Sequence, residues 1–275
     1  MVKASVITTC FNAGDSLRRT IESVLEQDYT DFEYIVMDGG STDGSVELAR
    51  SYEECFSEKN IPFFVYSEKD NGIYEGMNHG VAHAEGEFVN FMNADDEFYD
   101  SSVLKRLFED RDWDGVGVIY GDAAETECGK VYFFTKDFSK IETRMPFSHQ
   151  SVFARRSLLK EHPLNQKYRI AADYDFLLTC YQSGVRFEDA GMLICRVSLD
   201  GVSSVKIYDT FVETEEMMNS HGIYRFSEKE LKKKLIMLKI KQFGMDYLPA
   251  FIKKEIRLWQ RKHRGQNREI GDVEQ

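Results

Sequence analysis

Apolar and polar positions along the first ninety residues switch repeatedly between two periods. Residues 4–9 form a short apolar, β-branched run. After the turn Cys10-Phe11-Asn12-Ala13-Gly14, apolar residues recur at Leu17, Ile21, Val24 and Leu25, one stripe of a helix that Asp15-Ser16 would cap. Residues 32–37 return to a strand pattern and 46–56 to a helical one. A third strand is expected at 63–67, a third helix at 73–84 with Ile73, Met77 and Val81 on one face, and a fourth strand at 88–92. Such alternation predicts an α/β fold, a parallel sheet flanked by helices.

Beyond residue 96 the pattern loosens. It predicts a helix at 102–109, a strand at 116–120 and a hairpin over 123–134 turning at Cys128-Gly129. A helix carrying Phe176, Leu177, Leu178 and Tyr181 follows, then a strand at 192–197. From about residue 205 only helical signals remain, which suggests a body of residues 1–208 and an extension of residues 209–275.

Composition adds little to this picture and charge adds more. The 275 residues are 42% hydrophobic and 30% charged, ordinary for a globular chain. Five scattered cysteines without a CxxC pair indicate neither a disulfide framework nor a zinc site, which fits a reducing cytoplasm. No signal-like apolar region opens the chain, and no apolar run is long enough to cross a bilayer. The net charge of -12 divides unevenly: residues 225–268 hold 14 Lys or Arg against 4 acids, whereas residues 1–224 hold 21 against 40. The body is acidic and the tail basic.

Candidate chemistry gathers at the strand ends. Thr8-Thr9, Asp38 with Asp43, Asp70-Asn71 and Asp95-Asp96 sit at strand ends or helix starts, one for each of the first four strands. Parallel strands end on the same side of a sheet, so these clusters should share one rim, where α/β folds bind ligands. Paired acids there suit a divalent cation carrying a phosphorylated ligand. Taken singly, Asp95-Asp96 is equally a solvated turn before the next helix, and the loop Gly39-Gly40-Ser41-Thr42-Asp43-Gly44 is a plain connection. The absence of G-x-G-x-x-G after the first strand, and of G-x-x-x-x-G-K-[ST] anywhere, argues against dinucleotide and P-loop chemistry.

Six ordered segments resemble the motifs of family 2 glycosyltransferases: Ser5-Val6-Ile7-Thr8-Thr9-Cys10-Phe11-Asn12, Asp38-Gly39-Gly40-Ser41-Thr42-Asp43-Gly44-Ser45, Asp70-Asn71-Gly72-Ile73-Tyr74-Glu75-Gly76-Met77-Asn78, Asn93-Ala94-Asp95-Asp96, His149-Gln150-Ser151-Val152-Phe153 and Ala172-Asp173-Tyr174-Asp175-Phe176-Leu177. The resemblance implies a GT-A fold, a Rossmann-like mixed sheet flanked by helices with a C-terminal helical appendage. It also implies inverting, non-processive transfer of one sugar from a nucleoside diphosphate sugar, a UDP-sugar first, to a hydroxyl of a polysaccharide or glycolipid precursor. Carried over by position, Thr9, Asn12, Asp38, Asp70, Asn78 and Asp95 would bind the donor. Asp95, with Asp96, would hold Mn²⁺ or Mg²⁺, and Asp173 would be the base. His149, Gln150 and Asp175 are acceptor-side candidates, and Asp175 competes with Asp173 for the base role. The same chemistry is required physically: the diphosphate's developing charge needs a hard cation, and the acceptor hydroxyl needs a carboxylate to take its proton.

Three positions depart from that family's pattern. Asn93 stands where the first Asp of D-x-D is usual, Ala172 where Glu often precedes the base, and Met77 where an Arg often serves the diphosphate; Lys69 and Arg169 are candidates to replace that charge. The Q-x-x-R-W signature of processive enzymes is absent. In the tail, residues 226–244 and 247–263 read as two helices with apolar stripes set among lysines and arginines, which suits either an anionic membrane surface, on the inner face of the membrane, or packing on the acidic body. No nucleic-acid motif is present. A nucleotidyltransferase, which would release pyrophosphate, and a nucleotide-sugar-binding protein without turnover are the rival readings.

Overall fold

The computed structural model describes residues 2–109, 111–127, 130–134, 136–197, 206–248 and 269–272. The first half follows the alternation read from the sequence. Strands β1 (Ala4–Cys10), β2 (Phe32–Asp38), β3 (Phe63–Ser67) and β4 (Phe88–Phe91) are joined by α1 (Asp15–Leu25), the short helices α2 (Ser45–Arg50) and α3 (Glu53–Glu58), and α4 (Ile73–His83). The single helix expected over 46–56 is thus two, broken where Ser51 and Tyr52 turn back on α2. β1 pairs in parallel with β2 on one side and β4 on the other, and β2 with β3. Helices cover both faces, so β1 and β2 are buried along their whole length. Val6, Tyr34 and Val36 pack into one core cluster, while Ile7, Ile35 and Met37 point through the sheet into the other.

The second half departs from strict alternation. After β5 (Glu97–Phe98) and α5 (Val103–Phe108), β6 (Val118–Glu127) runs straight into a hairpin with β7 (Lys130–Phe134); the expected turn Cys128-Gly129 lies outside the described residues. β8 (Val152–Arg155), for which the sequence pattern predicts no strand, inserts antiparallel between β4 and β6, and α6 (Arg156–Glu161) follows directly. α7 (Ala172–Gln182) leads to β9 (Phe187–Val197), which starts earlier than expected and pairs with β5 and β6. Among the described residues the sheet has ten strands, with β10 (Glu269–Asp272) added at the β7 edge.

α8 (Ile207–Ser220) does not behave as an appendage. Met217 and Met218 are fully buried in the second core cluster, and Glu215, 5% exposed, is paired with Arg225. The helix that follows, α9 (Glu228–Tyr247), buries Leu238 and exposes Ile236, Ile240, Phe243 and Tyr247. Of the second tail helix expected over 247–263, residues 249–263 lie outside the described residues.

Candidate active site

The parallel register brings the chemistry to one edge, with Cys10 beside Asp38 and Asp38 beside Ser67 at the strand ends. Asp38 is 2% exposed, and its Oδ2 accepts hydrogen bonds from the Gly40 and Ser41 N–H groups (both 3.0 Å) and from Ser67 Oγ (2.7 Å). Burial raises its pKa, but these bonds outweigh burial and hold the carboxyl below its usual range. The same burial, with Asp38 alongside, pushes the Cys10 thiol far up and leaves it inert. Asp70 packs against this loop. A Cβ on Gly39 would lie 2.8 Å from Asp70 Oδ2, and one on Gly76 would lie 3.0 Å from the same oxygen and 3.3 Å from Thr9 Cγ2, so both glycines permit the approach. Burial, then Glu75, raises the Asp70 pKa against the opposing Gly72 N–H.

The loop after β1 is clamped to the loop after β2. Asn12, at φ 49°, donates its N–H to Ser41 Oγ (2.8 Å) and accepts from the Thr42 N–H (2.9 Å), while Asp43 Oδ2 accepts from the Gly14 N–H (3.1 Å) and so caps α1, which has no cap of its own. Phe11, 65% exposed, stands on this rim as an aromatic face open to a planar ligand.

The acidic turn after β4 is held in an uncommon backbone conformation. Asp95 has φ 87°, with its N–H shared between Thr20 Oγ1 (3.0 Å) and the Ser16 carbonyl (3.3 Å). Its partly exposed carboxylate pairs with the Arg19 guanidinium, whose Nε also lies 3.6 Å from Glu97. Asp96, expected as a second metal ligand, is 5% exposed and accepts a hydrogen bond from Gln150 Nε2 (2.7 Å). No group of three or more His, Cys, Asp or Glu side chains able to hold a metal occurs among the described residues. One carboxylate at a polar rim fits a hard cation that arrives with phosphate oxygens, not one caged by protein.

The opposite side of the rim is built on α7. Asp173 Oδ1 accepts from the Tyr174 N–H (2.9 Å) and shares the Tyr74 Oη proton (3.2 Å) with the nearer Ile170 carbonyl (2.7 Å), and Oδ2 lies 3.1 Å from His149 Nδ1. Burial lowers the His149 pKa, but the bond to Asp173 and the charges of Asp173 and Asp96 raise it further, for a net rise. His149 Nε2 meets Asn93 Nδ2 (2.9 Å), and Asn93 Oδ1 accepts from Thr9 Oγ1 (2.9 Å). Asp175, two residues from Asp173, faces elsewhere on the helix and pairs with His221 Nε2 at 2.7 Å. Asn78, expected at the donor, has its amide taken up by the Leu164 backbone in two hydrogen bonds (2.8 and 2.9 Å), a strut between α4 and the segment before α7.

Contacts therefore link Thr9, Asn93, His149 and Asp173 in series, with Asp38 and Asp70 beside them at the strand ends, whereas Asn78, Asp96, Gln150 and Asp175 make hydrogen bonds or ion pairs outside that series. Sequence reading missed Arg19, Tyr74 and Glu213. Glu213, on α8, accepts from the backbone N–H groups of Arg169 (2.9 Å), Ile170 (2.5 Å) and Ala171 (2.7 Å) and caps the helix that carries Asp173. No local signal marks Glu213 or Arg19. Tyr74 sat inside a recognised motif and could have been flagged as a buried hydroxyl needing a partner.

Residues 5–172 match the family model described as glycosyl transferase family 2. A PGL/p-HBAD biosynthesis glycosyltransferase of Mycobacterium bovis is 29% identical over 181 residues, covering 65% of this chain and 70% of the relative. An uncharacterized glycosyltransferase of Mycobacterium tuberculosis is 30% identical over 241 residues, 82% of this chain and 87% of the relative. Two solved structures share the fold. Staphylococcus aureus TarS 1-349 in complex with UDP-GlcNAc has a TM-score of 0.60 at 21% identity, over 72% of this chain and 58% of that one. The mannosyltransferase PcManGT of Pyrobaculum calidifontis, with GDP-Man and Mn²⁺, has a TM-score of 0.64 at 18% identity, over 85% and 68%. With the GT-A-like mixed sheet and the rim described above, the match over most of the body shows that this chain belongs to glycosyl transferase family 2.

Proposed function

We propose that the protein transfers one sugar from a nucleoside diphosphate sugar to an acceptor hydroxyl, inverting the anomeric centre, with Asp173 as the base. The observation that supports this reading is the chain of contacts from Thr9 through Asn93 and His149 to Asp173, with Asp38 and Asp70 set around Gly39 and Gly76 at the same strand ends. Asp38, held ionised, organises the loop against which the nucleoside would sit, and Phe11 offers it a stacking face. Asp95 would hold Mn²⁺ or Mg²⁺, which when bound neutralises charge on the departing diphosphate. Asp173, oriented by Tyr74 and His149, takes the acceptor proton; the arrangement of Asp175 around His221 favours Asp173 over it. UDP and GDP sugars are the first donors to examine because TarS and PcManGT were solved with them. A thermal-shift panel of UDP and GDP, each with and without Mn²⁺, tests the donor site: the correct nucleotide gives a large, metal-dependent stabilisation that Asp95→Ala removes. An Asp95→Ala protein that keeps the metal dependence would overturn the assignment.

The acceptor is proposed to be lipid-linked and reached at an anionic membrane. No described helix is long and apolar enough to cross one. α9 buries Leu238 and packs Lys234 over Phe211 and Phe226, yet exposes Ile236, Ile240, Phe243 and Tyr247 as one stripe beside exposed Lys229, Lys232, Lys233 and Lys239. That pattern suits insertion among anionic headgroups. Full-length protein should float with phosphatidylglycerol vesicles and not with phosphatidylcholine ones, and Ile240→Glu with Phe243→Glu should abolish flotation. Equal flotation of the double variant would remove this part of the proposal.

A further inference from the structure

Asn93 occupies the position at which an acidic residue would face a cation, yet both ends of its amide are engaged within the protein. Oδ1 accepts from Thr9 Oγ1 at 2.9 Å, and Nδ2 lies 2.9 Å from His149 Nε2. On the far side of the ring, His149 Nδ1 lies 3.1 Å from Asp173 Oδ2. An ionised carboxylate only accepts hydrogen bonds, so the ring must carry its proton on Nδ1 to meet Asp173. The neutral ring's Nε2 is then an acceptor, and the Asn93 N–H is the donor that satisfies it. An aspartate at position 93 could not supply that donor. It would set a second acceptor against Nε2 and favour a ring protonated on both nitrogens.

We propose that His149 is a positioning residue for Asp173 and that Asn93 sets the His149 tautomer, so that position 93 serves the base and not the cation. The proposal rests on Asp173 being the base. It gives the departure from the D-x-D pattern a physical purpose: the strand that ends in the cation-binding turn also reaches across to the acceptor side. His149 aligns one carboxylate oxygen, and Tyr74 Oη with the Tyr174 N–H aligns the other. The charged groups facing the ring are Asp173 on α7 and Asp96 after β4, and Tyr74 on α4 approaches through Asp173.

Nitrogen NMR of the full-length protein labelled at its six histidines tests this directly, with His149 assigned by the signal lost in His149→Gln. In alkaline buffer His149 should carry its proton on Nδ1 with a hydrogen-bonded Nε2. Asn93→Leu should remove the Nε2 bond, and Asn93→Asp should leave both nitrogens protonated at a pH where the wild-type ring has one proton. A proton on Nε2 in the wild type, or a His149 signal unmoved by both substitutions, would overturn the proposal. A kinetic arm uses release of nucleoside diphosphate from UDP-N-acetylglucosamine or GDP-mannose with Mn²⁺. An Asn side chain places its amide nitrogen near Nδ1 and a Gln side chain near Nε2. His149→Asn should therefore retain more turnover than His149→Gln, whose kcat should fall about 10- to 100-fold with the donor KM unchanged. Equal losses in the two variants would mean that the ring is merely structural. Turnover that survives Asp173→Asn would instead sink the base assignment while leaving the tautomer result standing.

Discussion

Removing the Glu213 carboxylate should cost more than its place beyond the catalytic motifs suggests. Glu213→Ala leaves the N–H groups of Arg169, Ile170 and Ala171 without their acceptor at the start of α7. Arg169 is exposed and can turn its N–H to water, but Ile170 is half-buried and Ala171 is 4% exposed, so two donors lose a charged partner that solvent replaces poorly. Loss of a cap costs about 0.5–2 kcal/mol, and a hydrogen bond to a charged group contributes about 1.5–3 kcal/mol, so the expected loss is about 2–4 kcal/mol. For a domain of this size that corresponds to a fall in Tm of about 5–10 °C. Urea denaturation of the full-length protein followed by circular dichroism measures it, and Glu213→Gln, which keeps one acceptor oxygen, should fall between. Because Asp173 is the second residue of the capped helix, donor hydrolysis should also drop at temperatures where the variant is still folded. A loss below about 0.5 kcal/mol in Glu213→Ala would refute the reasoning and return α8 to the status of an appendage.

Arg19→Ala frees the Asp95 carboxylate from a half-exposed ion pair, so Mn²⁺ binding in the presence of saturating UDP or GDP, measured by titration calorimetry, should tighten about two- to five-fold; unchanged or weaker affinity would contradict a competing role for Arg19. Asp38 has a folded pKa below its unfolded value, so its stabilisation is present above the unfolded pKa and is lost as pH falls through the folded one. Asp38→Asn should accordingly be less stable than wild type near neutrality, with the gap closing in acid; a gap that does not depend on pH would argue against it. Gly39→Ala should push the Asp70 carboxylate off the loop at a cost near or below about 1 kcal/mol, and should weaken the nucleotide-dependent thermal shift; a full shift would exclude Asp70 from the donor site.

The first half of the chain was legible because each unit obeys its local pattern. Buried parallel strands are continuous apolar runs, and the helices between them carry single stripes, so the strand ends and the acids on them could be placed on one rim before any coordinates. The second half resisted for a physical reason. β5 is two residues long and β8 four, and both owe their strand conformation to partners distant in sequence, β9 for the first, β4 and β6 for the second. Asp173 and Asp175 both sit at a helix start, where motif position alone favours Asp173, and their contacts differ: His149 and Tyr74 for one, His221 for the other. Glu213 and Arg19 act over 42 to 76 residues of separation, a distance across which neither spacing nor composition carries information.

The left-handed backbone at Asp95 bears on any effort to improve this protein by selection. A β-carbon there is strained by about 1–2 kcal/mol, which Gly would relieve. A library screened only for heat resistance should therefore enrich Asp95→Gly and hand back robust, well-expressed proteins that have lost the carboxylate. On the proposed role of Asp95 in holding the cation, stability and turnover pull in opposite directions at this residue, so a useful screen has to score both in the same round.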